Sequence, residues 1–512
     1  MSAETLILLA LGVPFLGSLF VLFSGPGSAN VRDGITVISA VILFSIVWTL
    51  IGIVDGGARP SVTLLEMLPG LSITFTLEPI GMLFAGIASF LWILTSFYAY
   101  GYMRGHHEAN QTRFFFCFAI AIMSAIGIAF AGNMLTLFVF YEILTISTFP
   151  LVAHSGTDEA RRAGRVYLGI LLSTSITFLL TAIIWTYVEA GTLDFREGGI
   201  LAGNAPVGVI GVLFGLYIYG IGKAALMPFH RWLPAAMVAP TPVSALLHAV
   251  AVVKAGVFSV IKVSVYIFGI DTLATTGVST WLAYVAAATI LLASLVAMRK
   301  DNLKARLAYS TVSQLSYIVL GAMLASNIGA MGSTMHIVMH AFGKITLFFC
   351  AGAIIVFAHK TEISDMHGLG RKMPVTFFCF FIASLSIIGL PPLGGVWSKW
   401  YLAMAAVETE QLIFVAVLMI SSLLNIAYLM PVVLYGFFGK EKSAAVHAHD
   451  GHDDHHAPPD HPMLKHLTFG IKGVKEAPVM CLAPIVLTTF GCFALFFYAD
   501  RIRLFLAPVF GG

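Results

Sequence analysis

Residues 215–237 read GLYIYGIGKAALMPFHRWLPAAM, an apolar stretch that holds Lys223 and, five residues later, Pro228. Proline lacks a backbone N–H and clashes with the preceding turn, so a helix with this sequence is interrupted. The lysine therefore lies beside a helix break in a segment otherwise apolar enough for a bilayer. The same arrangement occurs a second time in the chain.

Residues 384–404 read SLSIIGLPPLGGVWSKWYLAM, with Pro391 and Pro392 followed by Lys399. The two interrupted segments are five apolar spans apart, and each places one lysine close to the break. Paired interrupted helices in two halves of a chain indicate inverted structural repeats. Two unrelated kinks are the alternative, which the coincidence of break, lysine and spacing disfavours.

The composition indicates a polytopic membrane protein. Of the 512 residues, 59% are hydrophobic and only 10% are charged, whereas a soluble domain needs more polar surface. About fourteen stretches reach the ~20 apolar residues that a bilayer requires. They are 4–24, 35–54, 78–101, 112–131, 133–153, 163–188, 208–235, 241–268, 278–298, 304–324, 328–358, 374–407, 411–438 and 478–499. We therefore expect an all-α bundle with two inverted five-helix repeats, each containing a broken helix.

Five regions follow from these spans. They are 1–111 (helices 1–3), 112–268 (first repeat, helices 4–8), 278–438 (second repeat, helices 9–13), 440–476 (a histidine-rich cytoplasmic loop) and 478–512 (the last helix). Basic residues concentrate in the loops after odd-numbered spans, so the positive-inside rule places those loops in the cytoplasm and both termini outside. The first span has no basic segment before it and is expected to be an uncleaved helix.

The sequence contains no motif for a cofactor. The five cysteines are scattered within spans, at positions 117, 350, 379, 481 and 492, without the CxxC pairing of a metal or redox site. A glycine-rich phosphate loop and a nucleophile elbow are also missing from the sequence. We expect no cofactor and no catalytic site, so any energy comes from an ion gradient or a partner.

Glu142 is an isolated carboxylate near the middle of residues 137–149, LFVFYEILTISTF. A charged group near the bilayer centre costs at least about 2.5–3.5 kcal/mol, which makes each one a candidate functional residue. Lys223 is its expected partner. At a separation of about 8 Å and an effective dielectric constant of about 20, the pair is worth about 2 kcal/mol, enough to influence whether a buried lysine keeps its proton. A static ion pair between two helices is the alternative.

His336, His340 and Lys344 follow one another at four-residue intervals in residues 331–349, MGSTMHIVMHAFGKITLFF. They share one face of a helix. Neutral imidazoles about 6 Å apart along the axis can relay protons through a water molecule. A metal-binding histidine pair is one alternative, although the glutamate of zinc peptidases is missing. Buried histidines that only pack are the other.

His248 and Lys254 lie in span eight, about 9 Å apart along the helix axis and about 120° apart around it. A water molecule or another helix must therefore connect them. Lys304 opens span ten near its predicted cytoplasmic end. It either joins the line of ionisable groups or extends its ammonium group towards the interface.

The histidine-rich loop contains AVHAHDGHDDHHAPPDHP at residues 445–462. His449, His452, His455 and His456 are its weak candidates for zinc or nickel ligands, and the histidines can equally buffer protons near a pore entrance. The segment is poor in apolar residues and lacks a regular ligand spacing. We therefore expect a solvated, disordered loop without a metal site.

Four motifs resemble the antiporter-like subunits shared by respiratory complex I, membrane-bound hydrogenases and Mrp-type multisubunit cation/proton antiporters. They are KAALMPFHRWLPAAMVAPTPVSALLHA (223–249), DNLKARLAYSTVSQLSY (301–317), HAFGKITLFFCAG (340–352) and GLPPLGGVWSKW (389–400). The resemblance extends from about residue 70 to about residue 440. It implies a fourteen-helix core with two inverted five-helix repeats.

The resemblance also implies a proton path. The family's glutamate of the fifth helix and lysines of the broken seventh and twelfth helices correspond to Glu142, Lys223 and Lys399. Its connecting residues correspond to His248, Lys304, His336, His340 and Lys344. The presence of both His248 and Lys254 in one span resembles the large subunits of the family. The length of the chain and Lys399, in contrast, suit the smaller, D-type member of the Mrp complexes. The chain ends soon after the last predicted span, without the long lateral helix or extra spans of the larger subunits.

These observations predict a multi-pass subunit of a Mrp-type Na⁺/H⁺ antiporter in the cell inner (cytoplasmic) membrane. Its expected partners are other membrane subunits, the lipid bilayer, protons and Na⁺, and no nucleic acid. The first alternative is a proton-pumping subunit of complex I or a membrane-bound hydrogenase, where the chain would be part of an NADH:quinone oxidoreductase-type translocase. A membrane partner of a non-redox soluble protein, such as a bicarbonate-uptake assembly, and a structural anchor are the others.

Overall fold

The computed structural model describes residues 1–24, 28–68, 70–440 and 466–511, and these residues are mostly helical. The longer helices, in chain order, are α1 (Ala3–Phe23), α2 (Ala29–Asp55), α3 (Pro79–Gly105), α4 (Gln111–Phe130), α5 (Met134–Val152), α6 (Asp158–Ala190), α7 (Val207–Gly220), α8 (Thr241–Phe268), α9 (Thr280–Arg299), α10 (Leu303–Met323), α11 (Asn327–Ala358), α12 (Pro374–Ile388), α13 (Gly395–Glu408), α14 (Leu412–Phe438), α15 (Val479–Phe497) and α16 (Ala499–Phe510).

Eleven helices in the described part of the chain are long and apolar enough to cross a membrane. The predicted spans 208–235, 304–324 and 374–407 do not meet this criterion as single helices. The first and third are divided by breaks, which leave the shorter helices α7, α12 and α13. The second, α10, carries Lys304, Arg306 and several polar side chains. The helical bundle is thus confirmed, and the count of fourteen spans and the two repeats stay predictions.

Helix α8 lies at the centre of the bundle. Its most apolar window is completely buried within the protein, whereas only 33% and 28% of the corresponding windows of α1 and α2 are buried. It packs against α4, α5, α10 and α11. Two π-helical stretches, Leu246–Val250 and Ser264–Phe268, interrupt its regular hydrogen bonding. Such π-helical turns are frequent at functional sites.

The first break contains Lys223 itself. Helix α7 ends at Gly220, Lys223 lies in a single 3₁₀ turn (Gly222–Ala224), and helical structure resumes at Trp232. Pro228 accounts for the break, because its ring would clash with the carbonyl group four residues earlier in a continuous helix. A side chain on Gly256 of α8 would overlap the backbone of Lys223. Glycine at that position therefore lets the broken segment touch the central helix.

The second break separates α12 from α13. Helix α12 ends at Ile388 and is followed by Gly389, whose φ of +92° is in the left-handed region that glycine adopts freely. Two prolines follow before α13 begins, and Lys399 lies in the second turn of α13. A Cβ atom on Gly389 would lie 2.8 Å from Cδ of Lys399. The break therefore brings the lysine side chain against the end of α12.

A β-hairpin was not anticipated in the predicted all-helical fold. Strands β1 (Ser61–Leu68) and β2 (Leu71–Thr76) pair antiparallel, with Ser61 opposite Thr76. The hairpin is held to the bundle by a hydrogen bond from Gly132 N to Thr74 O (2.8 Å) and by one from Asn133 Nδ2 to Ser72 O (2.7 Å). A search for twenty-residue apolar spans misses it because strands show a two-residue period.

The returning end of the histidine-rich loop is anchored to α12. Glu476 is fully buried, and its carboxylate accepts hydrogen bonds from Val375 N (2.6 Å) and from both N and Oγ1 of Thr376 (3.2 and 2.7 Å). A carboxylate at a helix N-terminus satisfies N–H groups that have no partner within the helix. The candidate metal ligands of the loop, His449, His452, His455 and His456, lie outside the described residues.

Candidate functional site

Lys223 is held at the first break by neutral groups of α5. Its ammonium group donates to Tyr141 O at 2.8 Å and to Thr145 Oγ1 at 2.6 Å, and it lies 3.1 Å from the centre of the Tyr141 ring. The backbone N–H of Lys223 donates to the Tyr141 hydroxyl at 3.1 Å. The side chain is fully buried. A lysine with such partners is stabilised as a cation by dipoles and by the aromatic face, without a fixed counter-ion.

Glu142 follows Tyr141 on α5 and lies within electrostatic range of Lys223. The two side chains do not form a contact ion pair, because the ammonium of Lys223 is directed at Tyr141 and Thr145. Both carboxylate oxygens of Glu142 are buried and have no hydrogen-bond partner among the described residues. The interaction between Glu142 and Lys223 that the sequence predicts therefore acts through space. The alternative of a static ion pair in direct contact is wrong.

Lys254 in α8 contacts His340 in α11. Lys254 Nζ and His340 Nδ1 form a hydrogen bond, and both side chains are buried. This contact supplies the connection from another helix that the spacing of His248 and Lys254 requires. His248 lies in the π-helical stretch with its ring centre 4.7 Å from that of Phe348. Neither of its ring nitrogens has a hydrogen-bond partner in the described part of the chain.

His336 extends this line towards the second break. Its ring centre is 5.9 Å from that of His340, as expected for residues one turn apart. Nδ1 of His336 is 2.8 Å from Ser398 Oγ, and Nε2 is 3.2 Å from Gln314 Oε1. Because Ser398 immediately precedes Lys399, the histidines lead from α8 to the lysine of α13.

Lys344 does not bond to these histidines, although it shares their helix face. Its ammonium group donates to Ser310 Oγ at 2.6 Å and to Leu307 O at 3.3 Å, both on α10. Lys344 therefore has no direct hydrogen bond to His340, and the relay through water that the spacing predicts stays a prediction. Lys344 thus contacts α10, whereas Nδ1 of His340 contacts Lys254 on α8.

Lys399 bridges the second break. Its ammonium group donates to Ile388 O, at the end of α12, at 2.9 Å and to Ser422 Oγ of α14 at 3.1 Å. It also lies 4.9 Å from the centre of the Tyr317 ring. Lys223 and Lys399 thus share one environment: a carbonyl oxygen, a hydroxyl group and the face of a tyrosine.

Lys304 is directed into the protein and not to its surface. Its ammonium group donates to Ala239 O at 2.6 Å, in the segment that follows the first break. Glu108, in the loop after α3, lies within electrostatic range of it. The alternative in which Lys304 extends its ammonium group towards the interface is therefore not supported by its geometry.

Glu108 belongs to a small titratable cluster next to Lys304. One of its oxygens is 3.1 Å from His106 Nδ1, and the other is 4.0 Å from His154 Nε2. The hydrogen bond to Glu108 raises the pKa of His106, and burial lowers the pKa of His154. These groups lie outside the helices and close to Lys304, so they are a candidate entrance to the buried line.

Lys262 was missed by the sequence interpretation. It is 1% exposed, eight residues after Lys254 on α8, and its ammonium group is 2.6 Å from Glu78 Oε1 and 2.6 Å from Ala131 O. The ring of Phe195 lies 4.5 Å away. The sequence signal was the second lysine in an apolar span, in SVIKVSVY (259–266). It differs from Lys223, Lys254, Lys344 and Lys399 because it has a contact carboxylate.

The arrangement can carry protons in steps. Lys254, His340 and His336 form a line of hydrogen-bonding or adjacent groups that leads to Ser398 and Lys399. Amines and imidazoles in such a line can accept and release a proton in turn. Tyrosine, serine and backbone oxygens provide the hydrogen bonds that stabilise each charged form. No nucleophile–base pair or phosphate-binding loop occurs among these groups.

The chain matches a family of known membrane proteins. The model of the family described as "NADH:quinone oxidoreductase/Mrp antiporter, TM" matches residues 131–425. NADH-quinone oxidoreductase subunit N of Desulforudis audaxviator is 33% identical over 373 residues, which cover 71% of this chain and 73% of that protein. The D-type subunit of a Na(+)/H(+) antiporter from Alkalihalophilus pseudofirmus is 27% identical over 450 residues, which cover 86% and 88%.

Some relatives are longer than this chain. A probable K(+)/H(+) antiporter protein of Rhizobium meliloti, of the combined A/B type, is 32% identical over 417 residues, but these cover only 40% of its length. The fold is also that of solved structures. A chain of the Mrp complex from Dietzia sp. DQ12-45-1b has a TM-score of 0.84 at 21% identity, with 100% of this chain and 98% of that chain covered. A chain of the archaeal membrane-bound sulfane sulfur reductase has a TM-score of 0.81 at 22% identity, covering 98% and 96%.

Proposed function

Because the chain belongs to the NADH:quinone oxidoreductase/Mrp antiporter family of membrane proteins, we propose that it moves protons as a subunit of a Mrp-type Na⁺/H⁺ antiporter complex. It is an antiporter-like, multi-pass membrane subunit with many apolar helices. The proposal concerns the complex in which this subunit works, the second ion, and the residues that carry the proton.

One observation carries the proposal. Three buried lysines and the partly buried Lys399 have only neutral groups as contact partners in the described part of the chain; the buried three are Lys223, Lys254 and Lys344. A purely structural buried cation is normally paired with a carboxylate, because an unpaired buried charge is strongly destabilising. A lysine among carbonyl, hydroxyl and imidazole groups can lose its proton without leaving a contact carboxylate uncompensated. These side chains are therefore suited to alternate between charged and neutral forms.

Glu142 acts on the first of these lysines. Its carboxylate favours the charged form of Lys223 through space, so a change in its distance or protonation loads or unloads that lysine. The proton then passes by His248 and the Lys254–His340 contact, along His336, to Lys399. Lys304 and Lys344 supply further protonatable groups beside this line.

The proposed architecture of the protein is the one that the sequence predicts. Fourteen spans would form two inverted repeats, residues 112–268 and 278–438, after the three helices of residues 1–111. The chain would lie in the cell inner membrane with both termini outside, the loop 440–476 in the cytoplasm and the last helix in residues 478–512. Its partners would be other membrane subunits, as in the multisubunit membrane complexes that contain its structural neighbours.

A second candidate is a proton-pumping subunit of a redox complex. The identity of 33% to an NADH-quinone oxidoreductase subunit N favours it. The similarity to the D-type antiporter protein extends over more of both chains, which favours the Mrp assignment. The two assignments differ in the source of energy, an ion gradient in one and electron transfer in the other.

The test uses inverted membrane vesicles that contain the whole complex, in a host without its own Na⁺/H⁺ antiporters and complex I. An imposed proton gradient should collapse on addition of Na⁺, and NADH with quinone should not generate a gradient through the complex. Glu142→Ala should abolish or severely reduce the Na⁺-dependent flux while the complex stays assembled. Wild-type flux in an assembled Glu142→Ala complex would remove Glu142 from the path, and NADH-driven pumping would favour the redox candidate.

A further inference from the structure

We propose that Gln314 and Ser398 fix the tautomer of His336, so that this ring takes up its proton only at Nδ1. The hydroxyl group of Ser398 turns from Nδ1 to Gly395 O when the proton binds. Gln314 and Ser398 are thus positioning residues, to which the sequence gave no role. The inference rests on the proposed function, because it describes how one histidine of the proton path is loaded.

His336 is held on both sides by neutral side chains from two other helices. Its Nε2 is 3.2 Å from Oε1 of Gln314 on α10, and its Nδ1 is 2.8 Å from Oγ of Ser398 on α13. Gln314 and Ser398 are fully buried, and His336 is 3% exposed. Buried polar groups at such distances are hydrogen-bonded. The ring of His336 therefore links α11 to both α10 and α13.

The amide oxygen of Gln314 decides which ring nitrogen of His336 carries the hydrogen. An amide oxygen has no hydrogen and can only accept, so Nε2 of His336 must donate to it. A neutral imidazole has one N–H group, so Nδ1 has no hydrogen and accepts one from the Ser398 hydroxyl. The hydrogen bond of one ring nitrogen thus sets the protonation of the other. Nδ1 is the position left for an incoming proton.

Ser398 has a second acceptor within reach. Its Oγ is 3.2 Å from Gly395 O, one turn earlier on α13. A hydroxyl group has one hydrogen, so Ser398 donates either to His336 Nδ1 or to Gly395 O. Protonated histidine has a hydrogen on both nitrogens, and Nδ1 then donates to Ser398 Oγ. The hydroxyl hydrogen of Ser398 must in that form be directed at Gly395 O.

Proton uptake is balanced without any bond of Ser398 breaking. The O–H group of Ser398 first turns to Gly395 O, which exposes the lone pair of His336 Nδ1. The proton that the proposed function delivers then forms one N–H bond at Nδ1. Release of the proton reverses both steps. The net change is one proton gained by His336, and Ser398 controls access to the nitrogen that receives it.

Both forms of His336 have their hydrogen bonds satisfied in this arrangement. The neutral ring donates to Gln314 and accepts from Ser398, and the charged ring donates to both. A buried donor that lacks an acceptor is destabilising. A reversed amide of Gln314 would place its NH₂ group against the Nε2–H of the charged ring. The amide orientation in the structure is therefore the one that suits a histidine that becomes charged.

The titratable neighbours of His336 do not bond to its ring nitrogens. Lys399 of α13 and Lys254 of α8 lie within electrostatic range. The ring centres of His340, on the same helix, and Tyr317, on α10, are 5.9 and 5.6 Å from that of His336. Both ring nitrogens are instead occupied by neutral groups. Because like charges repel, His336 accepts its proton most readily when the two lysines are neutral.

The proposed switch lies next to the second helix break. Ser398 immediately precedes Lys399, and Gly395 is the first residue of α13. A side chain on Gly395 would overlap Ser386 O of α12, so the two helices touch at this glycine. The charge of His336 therefore changes the hydrogen bonding of the turn that carries Lys399.

The tautomer is tested by solid-state NMR of the whole complex with ¹⁵N-labelled histidine in lipid membranes. The His336→Leu variant identifies the signals of His336 by their loss. In the neutral ring, Nε2 should carry the hydrogen, and a hydrogen on Nδ1 would overturn the proposal. In Gln314→Leu, the hydrogen should move to Nδ1, because Ser398 can accept it and donate to Gly395 O. An unchanged tautomer in this variant would show that Gln314 does not set it.

The role of Ser398 is tested by Na⁺-driven proton flux in inverted vesicles. Ser398→Ala should lower the flux about ten- to hundredfold, the contribution of one hydrogen bond to a charged group. Ser398→Thr keeps a hydroxyl group and should retain most of the flux. Ser384→Ala is the matched control, since Ser384 is also buried but donates to Phe380 O of its own helix at 2.7 Å. Wild-type flux in Ser398→Ala, or a flux in Ser398→Thr as low as in Ser398→Ala, overturns this role.

The two measurements separate this inference from the proposed function. If Lys399→Ala is inactive and neutral His336 carries its hydrogen on Nδ1, only the inference is wrong. If Lys399→Ala transports like the wild type, the proposed function fails, and the role of Ser398 in transport fails with it. The NMR result decides the tautomer in either case, because it does not depend on transport.

Discussion

Lys254 of α8 is hydrogen-bonded through Nζ to Nδ1 of His340 in α11, and this contact joins the two halves of the ionisable line. Lys254 comes from the region proposed as the first repeat and His340 from the second. Both are buried. The contact therefore lies where a proton would have to cross from one half of the protein to the other.

The first prediction tests this crossing. Lys254→Met and His340→Leu should each reduce Na⁺-driven proton flux by about 100-fold, the lower end of the range for one acid–base group. The flux of the double variant should be no lower than that of the less active single variant, because both changes remove the same contact. Flux assays of the three variants at equal protein amounts measure the coupling. Additive losses would mean that the two residues act in separate steps.

The second prediction concerns the charge of Lys223. Lys223→Arg keeps a positive group, but a guanidinium does not release its proton at any useful pH. If Lys223 alternates between charged and neutral forms, the Lys223→Arg variant should transport protons nearly as poorly as the Lys223→Met variant. Flux is measured for both variants in vesicles with matched complex content. Substantial transport by the arginine variant would assign Lys223 a static electrostatic role.

The third prediction concerns the second half of the protein. Lys399→Ala should stop net transport, since the line of histidines leads to this side chain. Lys399→Glu should retain at most a fraction of the flux, with a shifted pH optimum. The measurement is proton flux across pH 6–9, about three units around the ~7 operating point of an acid–base group. Wild-type behaviour of the alanine variant throughout would show that the second half carries no protons.

The fourth prediction separates Lys262 from the other buried lysines. Its contact with Glu78 is that of a static ion pair, so Lys262→Arg should keep both transport and stability. Lys262→Met leaves Glu78 without its partner and should destabilise the protein by about 3–5 kcal/mol, the cost of breaking a buried pair. Thermal unfolding of the purified complex compares the two. A stable arginine variant without transport would instead place Lys262 in the proton path.

The fifth prediction concerns the histidine-rich loop. Deletion of residues 445–462 should leave assembly and maximal transport largely intact, because this sequence contains few apolar residues that could pack. The anchor at Glu476 lies beyond the deletion and would still hold the start of α12. Transport of the deletion variant is compared with the wild type, and metal content is measured in both. Stoichiometric zinc or nickel in the wild type would contradict the expectation of a loop without a metal.

The sequence by itself determined which segments are apolar, where the two breaks fall and that Lys223, Lys254 and Lys344 lie in buried segments. Hydropathy, proline and glycine act locally, so Pro228 and the pair Pro391–Pro392 could be interpreted without knowledge of the neighbouring helices. The candidate residues of α8 and α11 were found for the same reason, since a lysine in an apolar stretch is visible in the sequence. The β-hairpin was not predicted because its strands are much shorter than a membrane span.

Only the tertiary structure decided the partner of each buried group. Lys344 bonds Ser310 and not the histidines of its own helix face, Lys254 bonds His340, and Lys262 bonds Glu78. These contacts depend on the rotation and axial position of one helix against another. Many side chains far apart in the chain set that packing jointly, and spacing within one helix does not reveal it.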